Sequence, residues 1–146
     1  MAKFELSAFT DEYSQDFPKQ IEGMLANGIK YTEIRGVNGT NVAKLTVDEA
    51  KEAKKMLDAN GLKVWSVGSP LGKKKLTDDI NKHMDEVKHV CELANIFETP
   101  RIRVFSFYVP DTKNIAASRG QVIDWMGRML EVAKAEGAIE VTGFPR

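Results

Sequence analysis

Glu33 and Arg35 stand two residues apart in Tyr31-Thr32-Glu33-Ile34-Arg35, so in an extended chain they share one face while Ile34 takes the other. A carboxylate beside a guanidinium suits a polar or anionic ligand; it suits equally an internal ion pair that satisfies its own charge, extended to Glu5 and Arg103. Arg103 belongs to a second alternating run, Arg101-Ile102-Arg103-Val104-Phe105. A third group is Ser69-Pro70-Leu71-Gly72-Lys73-Lys74-Lys75. Its glycine and lysines have the chemistry to hold a phosphate or carboxylate, with Lys73 nearest the preceding strand as a point charge. The spacing is not that of a Walker loop, and a solvated charged loop accounts for the same composition. Glu33, Arg35, Ser69, Lys73 and Arg103 are therefore the candidate ligand-binding residues, and none of them is assigned a catalytic role.

Other reactive side chains form no recognisable constellation. His83 and His89 lack a partner at a metal-binding spacing and are expected at the surface or its boundary. Cys91, among Val87, Val90 and Leu93, reads as a small buried hydrophobe. Trp125, Met126, Met129, Leu130 and Val132 recur at helical spacing, which core packing explains, and Trp65 is expected in the interior or against a helix.

Composition narrows the function classes. The chain has 146 residues, 42% of them hydrophobic, which suits one globular domain. Its 21 basic and 21 acidic residues cancel, so the basic field of a nucleic-acid binder is missing. One cysteine precludes an internal disulfide and fits a reducing compartment. No apolar run approaches a membrane span, and Met1-Ala2-Lys3-Phe4-Glu5 lacks the layout of a signal peptide. A cytoplasmic protein with no membrane or nucleic-acid partner is expected.

The elements that must position these side chains show in an internal repeat. Met24-Leu25-Ala26-Asn27-Gly28, Met56-Leu57-Asp58-Ala59-Asn60-Gly61 and Val132-Ala133-Lys134-Ala135-Glu136-Gly137 each end a helical pattern in glycine, with an apolar stretch next. Asp16 before Phe17-Pro18, Thr46 three residues before Glu49, Thr77-Asp78-Asp79, and Asn114 or Ser118 supply the matching starts. Helices are predicted over about 16–28, 46–60, 77–95 and 117–136. Strands are predicted at 4–9, 31–35, 63–67 and 102–105, with 138–142 as a fifth strand or an atypical tail running to 146. Strands alternating with helices imply right-handed crossovers and a parallel sheet. Charge on one face of those strands fits an inward-facing barrel wall better than a doubly wound sheet buried on both sides. The fold class is therefore α/β, a parallel-stranded partial barrel of four to five βα units in one domain, where a closed barrel takes eight.

Several segments together resemble the sugar phosphate isomerase/epimerase family, the xylose-isomerase-like TIM barrels that include endonuclease IV. They are Ser7-Ala8-Phe9-Thr10-Asp11-Glu12, Glu33-Ile34-Arg35-Gly36 with Asn38-Gly39-Thr40-Asn41-Val42, Ser66-Val67-Gly68-Ser69-Pro70-Leu71-Gly72-Lys73, and Arg101-Ile102-Arg103-Val104-Phe105-Ser106-Phe107. The resemblance runs in order over residues 3 to 137. It implies, for the full-length family, a divalent metal held by carboxylates and histidine on later strands. Ala138-Ile139-Glu140-Val141-Thr142-Gly143 begins like such a strand and then departs, so Glu140 is a poor ligand candidate and no metal is expected in this chain. The expectation is a truncated member, inactive as an isomerase alone. The alternative is a partial barrel that self-associates through its open edges as a homodimer, serving a structural role or binding a sugar phosphate or other small anion.

Overall fold

The computed structural model describes residues 4–112 and 114–142, the last four through their backbone. Five parallel strands form one sheet: β1 (Ser7–Ala8), β2 (Tyr31–Ile34), β5 (Lys63–Val67), β6 (Arg101–Val104) and β7 (Ile139–Thr142), in the order β1-β2-β5-β6-β7. Four helices connect and cover them, namely α1 (Phe17–Ala26), α2 (Val47–Ala59), α3 (Ile80–Ile96) and α4 (Ile115–Ala135). A small antiparallel hairpin, β3 (Gly36–Val37) and β4 (Thr40–Asn41), follows β2.

Local chemistry explains the boundaries. Gly28, Gly61 and Gly137 have φ of 64°, 69° and 79°, the left-handed conformation that ends a helix without a Cβ clash. Asp16 caps α1 by accepting from the Lys19 N–H, with Pro18 in the first turn. Thr46 and Glu49 close a reciprocal capping box on α2, and Thr46 hydrogen bonds hold the Glu49 carboxyl below its usual range against a small opposing effect of burial. The third helix starts later than expected. Lys75 N–H donates to Asp78 Oδ2, so this segment is a turn, and Asp79 becomes the cap. The fourth begins earlier, with Asn114 at the cap position. The predicted first strand shrinks to Ser7–Ala8, because Thr10–Glu12 coils into a 3-10 turn. The hairpin went unpredicted although Asn38 and Gly39, with φ of 49° and 76°, form its tight turn.

The core lies between the sheet and the helices. Ile34, Val67, Ile102 and Val104 pack from the strands against Phe17, Met24, Leu57, Val87, Leu93 and Phe97. Burying side chains of this size stabilises by about 1.5–3 kcal/mol each. Trp125 and Met129 of α4 join the core as predicted, but Leu130 is exposed. Cys91 is buried among its apolar neighbours. A polar cluster lies under β1: Thr10 Oγ1 donates to Gln20 Oε1 (2.8 Å), and Gln20 Nε2 donates to the Gly36 carbonyl (3.2 Å). Thr32 Oγ1 meets Thr10 Oγ1 at 3.1 Å. These bonds tie β1, α1 and β2 together where the ladder itself is two residues long.

Candidate functional site

The C-terminal strand ends gather the charged residues. Register pairs Glu33 with Ser66, and the β-bulge between Thr32 and Glu33 brings Glu33 and Arg35 against Gly68. A Cβ at Gly68 would lie 2.7 Å from Arg35 Cγ and 3.2 Å from Glu33 Oε1, so glycine makes room for both side chains.

Glu33 and Arg35 do not pair with each other. Arg35 Nε donates to Asp11 Oδ1 and Oδ2 (3.0 and 3.1 Å), and its Nη2 donates to Glu12 Oε1 (3.1 Å). Glu33 Oε1 instead accepts from Arg103 Nη1 (3.0 Å), and Arg103 Nη2 donates to the Gly68 carbonyl (2.9 Å). Arg103 Nε is buried with no hydrogen-bond partner in the structure. Burial would lower the Arg35 pKa, but Asp11 and Glu12 outweigh it and raise it. Burial also dominates at Arg103 and prevails there, lowering its pKa; Glu33 and Asp11 oppose the shift and Arg35 adds to it. Two guanidinium groups thus press on one another across the cleft floor, a repulsion that an anion between them would relieve.

Aromatic rings carry these cations. Arg35 lies 4.6 Å from the centre of Phe9 and Arg103 lies 5.3 Å from both Phe9 and Phe105. Lys73 sits 4.5 Å above Phe105. Asp11, Gln15, Arg35, Lys73 and Arg103 line a cleft of about 320 Å³, closed on one side by the β3–β4 hairpin.

The segment after β5 is anchored over residues 69–72, while Lys73 and Lys75 remain exposed as a solvated charged loop would have them. Leu71 and Gly72 are buried, and their carbonyls accept from the Phe105 and Phe107 N–H groups (2.8 and 3.0 Å). Gly72 has φ of 79°, and a Cβ there would run into the Phe105 carbonyl. Ser69, fully buried, donates its hydroxyl to the Arg103 carbonyl (2.6 Å) and accepts from the Leu71 N–H (3.2 Å). Its hydrogen bonds shape the loop and leave the cleft to others. His83 is also not a surface residue. It is 3% exposed, because the loop folds over it: Gly72 N–H donates to Nε2 (3.0 Å), so the proton sits on Nδ1, which donates to Glu86 Oε2 (2.8 Å). Lys74 completes the chain on Glu86 Oε1 (2.9 Å). His89 lies at the boundary, Nε2 at 2.9 Å from the Leu45 carbonyl.

No family model matches the chain, and no curated protein matches it closely enough to count as a relative. Solved structures do match. A probable 3-DHS dehydratase, AsbF of Bacillus anthracis, involved in petrobactin synthesis, matches 95% of this chain and 52% of its own at a TM-score of 0.73 and 17% identity. A sugar phosphate isomerase/epimerase from Parabacteroides distasonis matches 97% of this chain and 51% of its own, at a TM-score of 0.71 and 19% identity. A xylose isomerase-like TIM barrel protein from Mycobacterium smegmatis, solved in complex with magnesium, matches 94% and 54% at 0.66 and 13%. The fold is that of a partial TIM barrel, with five of the eight parallel strands that close one. The chain spans about half the length of the solved structures it matches.

Within this half-barrel the five predicted site residues divide. Arg35, Lys73 and Arg103 line the cleft, Glu33 pairs with Arg103 beside it, and Ser69 serves the loop behind it. Glu5 does not extend the Glu33–Arg103 pair; it stands near Tyr31, whose phenol pKa it raises. Residue reasoning missed Asp11 and Glu12 as partners of Arg35, and Phe9 and Phe105 as its aromatic floor. Their acid-rich turn and alternating aromatics were the available signal. A divalent metal does not fit the described residues of the half-barrel. Asp11, Glu12 and Glu33 are each held by a guanidinium, and no three His, Cys, Asp or Glu among the described residues converge on one point. The Glu140 side chain and residues 143–146 lie outside the described residues.

Proposed function

We propose that the half-barrel binds a small ligand bearing a phosphate or carboxylate, of the sugar-phosphate kind, and that as an isolated chain it performs no isomerisation or epimerisation. The observation that carries this reading is the meeting of Arg35, Lys73 and Arg103, from three successive strand ends, around one cleft. In barrels of this type ligands bind at that end. The likeness to the Parabacteroides distasonis isomerase/epimerase points to a sugar phosphate over other anions.

The residues present hold and orient. The guanidinium groups lie on aromatic rings that fix their direction, and Lys73 supplies a point charge at the rim. Moving a proton on a hydroxy-carbonyl substrate needs a carboxylate free to accept it, and Glu33 Oε1 is already taken by Arg103. Binding without turnover follows.

Titration calorimetry with a hexose 6-phosphate, the free hexose and inorganic phosphate tests the reading, with an aldose–ketose assay on the same sample. The phosphate ester is expected to bind and the free hexose not to, with affinity falling as salt rises. Lys73→Ala should weaken binding about three- to tenfold, on the order of 1 kcal/mol. Equal binding of the free hexose, or turnover by the isolated chain, would overturn it.

A further inference from the structure

The inner face of the sheet stays open away from the cleft. In a closed barrel, inward side chains fill the interior in layers. Here Tyr31, Trp65 and Arg101 stand on that face at the N-terminal strand ends, and Trp65 is 43% exposed. They are ordered against one another: Tyr31 meets Trp65 edge-on at 5.9 Å, and the Arg101 guanidinium lies 3.9 Å from the Trp65 ring centre. Tryptophan, tyrosine and arginine are the residues that dominate the energetics of protein interfaces.

The face is also polarised across the sheet. Glu5 sits on the β1 flank, lining one hollow with Tyr31 and Trp65, and Arg101 sits on β6 at the other side. Beyond them, neither β1 nor β7 has a further neighbour among the described residues. An open sheet edge offers unpaired N–H and C=O groups to another chain.

We propose that this face docks a second copy of the chain about a two-fold axis parallel to the strands, the β1 flank of each copy beside the β6–β7 flank of the other. That rotation keeps every strand parallel, joins both open edges at once in a ring of ten strands, and sets Glu5 of each copy across β7 from Arg101 of its partner, so that opposite charges lie on the same side of each seam. Pairing like flanks would set Glu5 against Glu5 and Arg101 against Arg101, which charge repulsion disfavours. The two Trp65 rings then face a common interior instead of water. This inference stands apart from the ligand reading, since it uses the opposite strand ends.

Sedimentation velocity over a concentration series tests it, with circular dichroism to check folding. The unaltered chain is expected to dimerise. Glu5→Arg and Arg101→Glu should each weaken the dimer about tenfold or more, and the double reversal should restore it. Trp65→Ser, at an exposed position, should dissociate the dimer and keep the folded spectrum. A chain that stays monomeric throughout, a double reversal no tighter than the singles, or a dimer indifferent to Trp65→Ser would each overturn the proposal.

Discussion

The two faces of the sheet are made by alternate residues of the same strands, and they differ in kind. Toward the helices, Thr32, Ile34, Val64, Val67, Ile102 and Val104 are all 7% exposed or less. Toward the barrel interior, Tyr31, Glu33, Arg35, Trp65, Arg101 and Arg103 keep contact with water and pair through charge and ring faces. The helix side obeys the rule for parallel sheets, whose covered strands are apolar. The interior side breaks that rule across β2, β5 and β6. Stability is therefore concentrated in one layer, and the other is free to carry recognition chemistry.

Phe97→Ala is the strongest way to probe that division. The ring is 1% exposed in the helix-facing core, and its removal should cost about 3–5 kcal/mol in denaturant unfolding. His83→Phe comes next. It keeps an aromatic ring beside Phe107, 5.9 Å away, but leaves the Gly72 N–H without its acceptor, at about 1–3 kcal/mol.

The acid side of the stability profile should show a smaller effect, from Glu86. Burial would raise its pKa, but hydrogen bonds from Lys74 and His83 outweigh that and hold it below the usual carboxylate value. The folded-state pKa is depressed, so the contribution is present above the ordinary value and lost as pH falls through the lowered one. Glu86→Gln should flatten that part of a stability-against-pH curve. Trp65→Ala should have the least effect on the fold itself, about 1 kcal/mol or less in unfolding of the monomeric form. If it costs as much as Phe97→Ala, the two faces are not divided as described.

How much of this could be read from residues alone depended on distance along the chain. Helix ends were legible at Gly28, Gly61 and Gly137, because a left-handed φ after an apolar run is a local demand. The Thr46 capping box was legible for the same reason. Strand alternation placed Glu33, Arg35 and Arg103 on one face, yet their pairing was not legible. Arg103 reaches Glu33 across 70 residues, and a bulge in β2 decides which neighbours meet. Arg35 looked like the partner of Glu33 until the turn at Thr10–Glu12 brought Asp11 beneath it. His83 was misplaced because its burial comes from the Ser69–Lys75 segment folding back onto α3, which no periodicity announces.

That segment's attachment to the stretch after β6 has a consequence for recognition. Gly72 gives its carbonyl to Phe107 and its N–H to His83, and Tyr108 N–H reaches the Lys74 carbonyl at 2.8 Å. Lys73 therefore rides on backbone already fixed from both sides. A wall of the cleft is preorganised, so the anion proposed to bind there would lose little affinity to ordering the chain. Discrimination among ligands would then rest on how well their shape matches a cleft set before they bind.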